Sequence, residues 1–258
     1  MAAILAIDIG NSRISLGLFK GDSLENTISL PTADTSEAAA QMNFLDQEIG
    51  FDLISVSSVV PEAKAALLEA WAKIGKAKPI FEMHAAAQSI IRALYEGIGS
   101  DRAANAIAAQ KLHMEGSDAV LVIDFGTATT MTAVSSKGEF LGGLIALGLP
   151  KTLRALKSST AQLPHVEMEK LKTGGGLLAF NTEKAIENGC LHGHIGMVEH
   201  WIKLARKELP PRLKVVATGG MAPFIGTAIE GIDSIDEHLT LKGIRLAAEA
   251  GAVPADRD

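Results

Sequence analysis

The chain reads as an α/β protein of two similar halves, each a mixed sheet led by a β-hairpin and flanked by helices. Three observations predict this. Strand-length apolar runs alternate with helix-period segments along all 258 residues, the pattern of a layered α/β architecture. The opening run Ile4-Leu5-Ala6-Ile7-Asp8-Ile9-Gly10-Asn11 returns as Val120-Leu121-Val122-Ile123-Asp124-Phe125-Gly126-Thr127. Both copies pass through a small polar turn into a second strand, so the pattern is an internal repeat. The expected domains are residues 1–115 and 116–258, joined around Glu115-Gly116-Ser117.

In chain order, residues 4–7 and 14–19 form strands around the Gly10-Asn11 turn, and residues 24–30 add a third after Gly21-Asp22-Ser23. Asp34 or Thr35 opens a helix to about Glu48. A strand covers residues 53–58, and Pro61 suits the first turn of a helix reaching Ile74. Residues 78–81 read as a strand and residues 102–114 as an alanine-rich helix. The second copy continues with strands at 130–135 and around 140–146, a helix at 150–158 and a long helix at 182–208. A strand at 213–217 and a last helix at about 239–251 complete it. Thr173-Gly174-Gly175-Gly176 marks a turn. Gly189, Gly193 and Gly196 fall close to one face of the long helix, where small residues permit tight packing inside the fold or against another subunit.

Composition narrows the function. The chain is 47% hydrophobic and 21% charged, with 24 basic against 30 acidic residues and a net charge of −6. That balance argues against a basic face for nucleic acid, and 4% aromatic residues leave little for base stacking. One cysteine, Cys190, makes no internal disulfide and fits a reducing compartment. No run is long enough to span a bilayer, and the start reaches Asp8 without a basic leader region. A cytoplasmic protein is expected, without nucleic-acid or membrane partners.

Three small-residue turns follow apolar strands: Asp8-Ile9-Gly10-Asn11-Ser12, Asp124-Phe125-Gly126-Thr127-Ala128-Thr129-Thr130 and Thr218-Gly219-Gly220-Met221-Ala222. Glycine there lets main-chain N–H groups approach an anion, hydroxyls add donors, and a strand-end carboxylate can hold a hydrated divalent cation against phosphates. Neither G-x-x-x-x-G-K-[ST] nor a strand followed by G-x-G-x-x-G occurs, so the phosphate site is of another kind. No H-E-x-x-H or G-x-S-x-G is present either. Asp101, in Gly99-Ser100-Asp101-Arg102, fits a helix N-cap as well as a catalytic carboxylate.

These turns, with Val56-Ser57-Ser58-Val59-Val60-Pro61, Gly99-Ser100-Asp101-Arg102 plus Asn105, Gly142-Gly143, Asn181-Thr182, Thr218-Gly219-Gly220 and Leu239-Thr240-Leu241-Lys242-Gly243, run in a family's order. The chain resembles the type III pantothenate kinases of the actin-like, acetate-and-sugar-kinase superfamily. That resemblance implies two actin-like (ribonuclease-H-like) domains and ATP-dependent phosphorylation of pantothenate to 4′-phosphopantothenate, the first step of coenzyme A synthesis. It also implies magnesium, a monovalent cation (potassium or ammonium), and a homodimer with the active site near its interface.

Carried over by residue, Asp8, Ile9, Gly10, Asn11, Ser12, Arg13, Ile14 and Ser15 resemble the ATP-binding hairpin, with Asp8 near magnesium, and Thr127 an ATP contact. Gly99, Ser100, Asp101, Arg102, Tyr95 and Thr182 resemble substrate contacts, with Asp101 as the catalytic base. Asp124 resembles the monovalent-cation ligand. Three positions depart from the family pattern: Met131-Thr132 stands where a hydrophobic residue and Asp are usual, the segment from Tyr95 to Gly99 is shorter, and Leu147-Gly148 replaces Pro-Gly. They motivate an alternative, a non-catalytic or substrate-shifted nucleotide-binding relative.

Overall fold

The computed structural model describes residues 2–174 and 176–252; Gly175 of the glycine-rich turn lies outside them. The first half runs β1 (Ala3–Ile9), β2 (Arg13–Lys20), β3 (Ser23–Pro31), α1 (Thr35–Glu48), β4 (Leu53–Ser58), α2 (Pro61–Ile74), β5 (Ile80–Glu82) and α3 (Ser100–Leu112). The second runs β6 (Ala119–Phe125), β7 (Ala128–Ser135), β8 (Phe140–Leu147), α4 (Leu149–Ser158), α5 (Thr182–Glu208), β9 (Leu213–Thr218), α6 (Ala222–Ile225), β10 (Ser234–Ile235) and α7 (Leu239–Ala252).

The two sheets repeat one topology. The first is ordered β3-β2-β1-β4-β5 and the second β8-β7-β6-β9-β10. In each, the leading strand makes an antiparallel hairpin on one side (β1 with β2, β6 with β7) and a parallel pair on the other (β1 with β4, β6 with β9). A central strand is covered on both faces, which is why β1 and β6 are near-continuous apolar runs. At the sheet's edge β3 alternates exposed and half-buried residues along its length.

Packing sorts the chain into two units that do not follow chain order. Unit 1 holds Met1–Lys111, Lys137–Phe140 and the chain from His238; unit 2 holds Leu112–Ser136 and Leu141–Glu237. Thus α7, which lies in the C-terminal half of the sequence, completes the N-terminal unit. Its Leu239, Ile244, Ala247 and Ala248 are fully buried. Ser55 Oγ of β4 donates to the Ile244 carbonyl at 3.0 Å, and Thr240 Oγ1 donates to Asn105 Oδ1 at 2.8 Å. Arg245, 2% exposed, donates to the Gly21 carbonyl (2.9 Å) and to Asp22 Oδ1 (2.6 Å) across the β2–β3 turn. The turn at Lys137–Phe140 belongs to unit 1 because Arg92 N donates to the Gly138 carbonyl (2.8 Å) and Phe140 N to the Arg92 carbonyl (3.0 Å).

The α3–α7 crossing explains two compositional features. Helix α3 is buried on nearly every side, with Ala103, Ala104, Ala106, Ala108 and Ala109 all at 0% exposure; small residues let its backbone approach its neighbours. At the closest point Gly243 lies on Ala104, where a Cβ would strike the Ala104 carbonyl and come within 3.0 Å of its Cα. Backbone cannot rotate aside as a side chain can. Gly243→Val is therefore expected to cost about 3 kcal/mol, lowering the thermal midpoint by about 6–12 °C. An unchanged midpoint in a calorimetric scan would show that the helices separate freely.

Candidate active site

Within unit 1 the site begins where β1 and β4 end. Their parallel register sets Asp8 beside Ser57. Ser57 Oγ lies 2.9 Å from Ser100 Oγ and 3.4 Å from Asp8 Oδ1, while Ser100 Oγ donates to the Ser58 carbonyl at 3.2 Å. The chain of hydroxyls thus links the end of β1, the end of β4 and the first residue of α3. The hairpin turn is closed by Gly10 N donating to the Arg13 carbonyl (2.9 Å) and buttressed by Thr32 Oγ1 on the Gly10 carbonyl (2.7 Å). Of the eight hairpin residues, Ile9 and Ile14 are fully buried and have only main chain to offer. Asn11, Ser12 and Arg13 are exposed, with the Arg13 guanidinium turned onto Ser29 Oγ of β3 at 2.7 Å.

Asp101 is not an N-cap. Helix α3 starts one residue earlier, and Asp101 Oδ1 accepts from the Arg102 main-chain N–H at 2.8 Å. The carboxylate folds back over Gly99, in the space a Cβ there would need. Arg102 is 5% exposed; its Nη1 donates to the Tyr95 hydroxyl at 2.6 Å, and its guanidinium carbon lies 5.9 Å from the Tyr95 ring centroid. Tyr95 is held in turn against Phe140, with ring centroids 5.8 Å apart. The short segment between Tyr95 and Gly99 therefore brings Tyr95 to Arg102.

Unit 2 repeats the strand-end device. Asp124 at the end of β6 is set beside Thr218 of β9, as Asp8 is beside Ser57. Thr218 Oγ1 is buried without a hydrogen-bond partner. Gly219, at φ +90°, passes so close that a Cβ would strike Asp124 Oδ1 and sit 2.8 Å from the Phe125 main chain. Met221 N donates to the Phe125 carbonyl at 3.1 Å. Gly148, opening α4, donates to the Thr127 carbonyl at 3.1 Å and has no room for a side chain over residues 126 and 127. The donor set is all oxygen: a carboxylate, an orphaned hydroxyl and a close main chain. Oxygens of this kind suit a hard cation. Among the described residues no cluster of three or more His, Cys, Asp or Glu could hold a metal ion alone. A magnesium ion at Asp8 would therefore depend on nucleotide phosphates for most of its shell.

Thr182 is the exposed first residue of α5, preceded by the cap residue Asn181, whose Oδ1 accepts from Lys184 N at 2.8 Å. Thr132 is 1% exposed in β7 and paired in register with Val122. The motifs alone did not single out His194. It lies in α5 on the buried row Cys190, His194, Val198, Ile202, and its Nε2 sits 2.9 Å from Thr129 Oγ1, in the strand leaving the Asp124 turn. A histidine on an i, i+4 row of apolar residues is the signal that could have found it.

A family model described as type III pantothenate kinase matches residues 4–204. A type III pantothenate kinase of Anaeromyxobacter sp. (strain Fw109-5) is 36% identical over 257 residues, covering 95% of this chain and 98% of that protein. One from Desulforapulum autotrophicum is 34% identical, covering 95% and 96%. Among solved structures, the inorganic polyphosphate/ATP-glucomannokinase of Arthrobacter sp. strain KM aligns over 98% of this chain and 99% of its own, at TM-score 0.52 and 13% identity. That likeness shows the fold: two halves, each a five-stranded mixed sheet with flanking helices.

Burial holds His194 below the ordinary histidine pKa, and it also pushes the Cys190 thiol up, leaving it a poor nucleophile. Folded His194 takes up a proton less readily than unfolded, whose pKa is about 6.5. Its contribution to stability is thus complete above that value and is lost as pH falls towards the folded pKa. The thermal midpoint should drop between pH 7 and pH 5.5, and drop less in His194→Gln. Equal slopes in the two proteins would remove His194 as the cause.

Proposed function

We propose how a chain that belongs to the type III pantothenate kinase family distributes its reaction over the residues described above. The protein is an ATP-dependent phosphotransferase that phosphorylates pantothenate for coenzyme A biosynthesis. The observation that carries the residue assignment is the Asp101 carboxylate folded over Gly99 at the head of α3, beside a guanidinium already oriented by Tyr95.

Phosphoryl transfer needs placement and charge neutralisation more than covalent help. Pantothenate's 4′-hydroxyl oxygen attacks the γ-phosphorus in line; the new O–P bond forms as the bond to the β-phosphate oxygen breaks, and ADP leaves. Asp101 takes the hydroxyl proton. Arg102, oriented by the Tyr95 hydroxyl, takes the pantothenate carboxylate or a phosphate oxygen. Residues 8–15 surround the ATP phosphates: Asn11, Ser12 and Ser15 offer side chains, and Ile9, Gly10, Arg13 and Ile14 shape the hairpin turn that presents them. Thr127 adds an ATP contact. Magnesium would be held by Asp8 through water and the nucleotide, supplying charge neutralisation between phosphates. Potassium or ammonium would be held by Asp124 with Thr218 Oγ1, adding positive charge without a tight shell.

Thr182 contacts substrate at a subunit interface in this reading. A homodimer is supported by the apolar surface of unit 2: Leu144, Ile145 and Leu147 of β8 are 44%, 62% and 52% exposed, and Leu177, Leu178 and Phe180 are exposed too. Large apolar side chains left exposed in this number point to an interaction surface. Gly189, Gly193 and Gly196 on α5 have open space beside them, room for a close helix neighbour. No helix among the described residues is long and apolar enough to cross a membrane; we assign the enzyme to the cytoplasm, consistent with its single, buried cysteine.

ADP release with ATP, magnesium and pantothenate, with and without potassium or ammonium, tests the whole reading. Turnover should require pantothenate and the monovalent cation. Asp101→Asn should lower kcat by about 10³-fold with an unchanged melting curve; full turnover in that variant would sink the assignment. Gly99→Ala, which displaces only the tip of Asp101, should lower kcat by about 10²-fold. If it performs as wild type does, the folded-back carboxylate is not the working one. Asp124→Asn should raise the potassium concentration needed for half-maximal rate.

A further inference from the structure

Strand β4 carries two fully buried serines, Ser55 and Ser57, with different roles. Ser55 gives its hydroxyl to the Ile244 carbonyl of α7 and serves packing. Ser57, at 0% exposure, is closed to any ligand, yet its hydroxyl lies between two parts of the site. Asp8 Oδ1 of β1 is 3.4 Å away on one side and Ser100 Oγ of α3 is 2.9 Å away on the other. Ser100 Oγ is in turn 3.2 Å from the Ser58 carbonyl. That carbonyl belongs to a fixed turn, in which Val59 N donates to the Ile9 carbonyl (3.1 Å) and Val60 N to Ser58 Oγ (3.0 Å). The equivalent hydroxyl of unit 2, Thr218 Oγ1, has no hydrogen-bond partner, so the linked chain is not a by-product of the repeat.

A serine hydroxyl has one proton, so this chain has two arrangements. In one, Ser57 donates to Ser100 and Ser100 donates to the Ser58 carbonyl, which ties Ser100 to β4 by two hydrogen bonds. In the other, Ser57 donates to the Asp8 carboxylate and Ser100 donates back to Ser57 Oγ, which ties Ser100 to β4 by one. The charge on Asp8 selects between them. The more negative that carboxylate, the more strongly it draws the Ser57 proton, because hydrogen bonds to charged acceptors are roughly twice as strong as neutral ones. A divalent cation held at Asp8, directly or through water, weakens the pull and returns the proton to Ser100. We infer that Ser57 couples the two substrates: a magnesium nucleotide at Asp8 tightens the head of α3 onto β4 and so orders the acceptor site. This rests on the roles assigned to Asp8 and Asp101 above. Asp101 directly follows Ser100, and its carboxylate is held over Gly99 by the Arg102 main-chain N–H (2.8 Å), a position set by the first turn of that helix. Ser57 is therefore a positioning residue that acts on Asp101 through Ser100.

The test is calorimetric: the Kd of pantothenate is measured alone, and again with magnesium and a saturating non-hydrolysable ATP analogue. In wild type the nucleotide should tighten pantothenate about fivefold or more, the worth of at least one hydrogen bond. Pantothenate should tighten the nucleotide by the same factor. Ser57→Ala lets Ser100 donate to the Ser58 carbonyl whatever the charge on Asp8, so its two pantothenate Kd values should agree within about twofold, at an unchanged melting curve. Ser100→Ala cuts the chain at its other link and should abolish the factor too, so either variant decides the inference. Ser57→Thr, which keeps the hydroxyl and is the residue unit 2 has at this place, should restore the factor. Ser55→Ala, a buried hydroxyl lost from the same strand away from Asp8, should keep it. A Ser57→Ala or Ser100→Ala protein with the wild-type factor, or a wild type that binds the two substrates independently, overturns the inference. A wild type that binds both but transfers no phosphate overturns the kinase reading instead, and the factor still decides Ser57. A wild type that binds neither overturns both.

Discussion

The register between the leading strand of each sheet and its parallel neighbour is the constraint on which the chemistry depends. It puts Asp8 beside Ser57 and Asp124 beside Thr218, in each case at the last turn of a strand whose earlier residues are sealed in the core. A carboxylate one or two positions earlier would be buried among apolar side chains at a cost no partner there could offset. At the strand end it is half-buried, close enough to main chain to be fixed and open enough to meet an ion. A hydroxyl opposite is the compatible neighbour, since a second carboxylate would repel the first and an apolar residue would leave it undersolvated. A one-residue slip of either parallel pair would move both members of the couple to opposite faces.

Glycine finishes what register begins. Asp101 rests on Gly99, Asp124 is backed by Gly219, and the turn after Asp124 is capped by Gly148, each at a distance that excludes a Cβ. The two carboxylates assigned to proton transfer and to the monovalent cation thus share a construction: a charged group packed against bare backbone. Bare backbone is the one surface near a carboxylate that is polar, rigid and thin. Serines and threonines then pass hydrogen bonds outward from it, as Ser57, Ser58 and Ser100 do between β4 and α3, with Asp8 joining from β1.

The helices and the two hairpins were legible because each has its own local signal: an apolar period, a turn residue, a proline at a first helical position. The bounds of α5 and of β4 follow from such signals directly. Elements held by something distant were not legible. Strand β5 begins at Ile80 rather than Lys78, since Pro79 has no N–H to give the ladder, and the Lys78 side chain is drawn to Asp46 (2.8 Å) and the Phe51 carbonyl (2.7 Å), both far away in sequence. The two-residue β10 and the four-residue α6 are too short for any period to register. The helical start at Ser100 turned a capping aspartate into a first-turn one, which a one-residue boundary cannot reveal from propensities. His194 sits in no motif, and only the fold places it against Thr129. The catalytic motifs were readable because they are contiguous; the residues that surround them are assembled.

Helix α7 has a meaning for how the protein is made. It is synthesised after unit 2, yet it covers β1, β4 and α3 and holds the β2–β3 turn through Arg245. All of unit 2 is synthesised between the body of unit 1 and its missing helix. On the ribosome, therefore, the half begun first is closed last, and its uncovered apolar strands wait through the making of the other. Folding order runs against chain order, and the nascent first half is the stretch that a chaperone would find open longest.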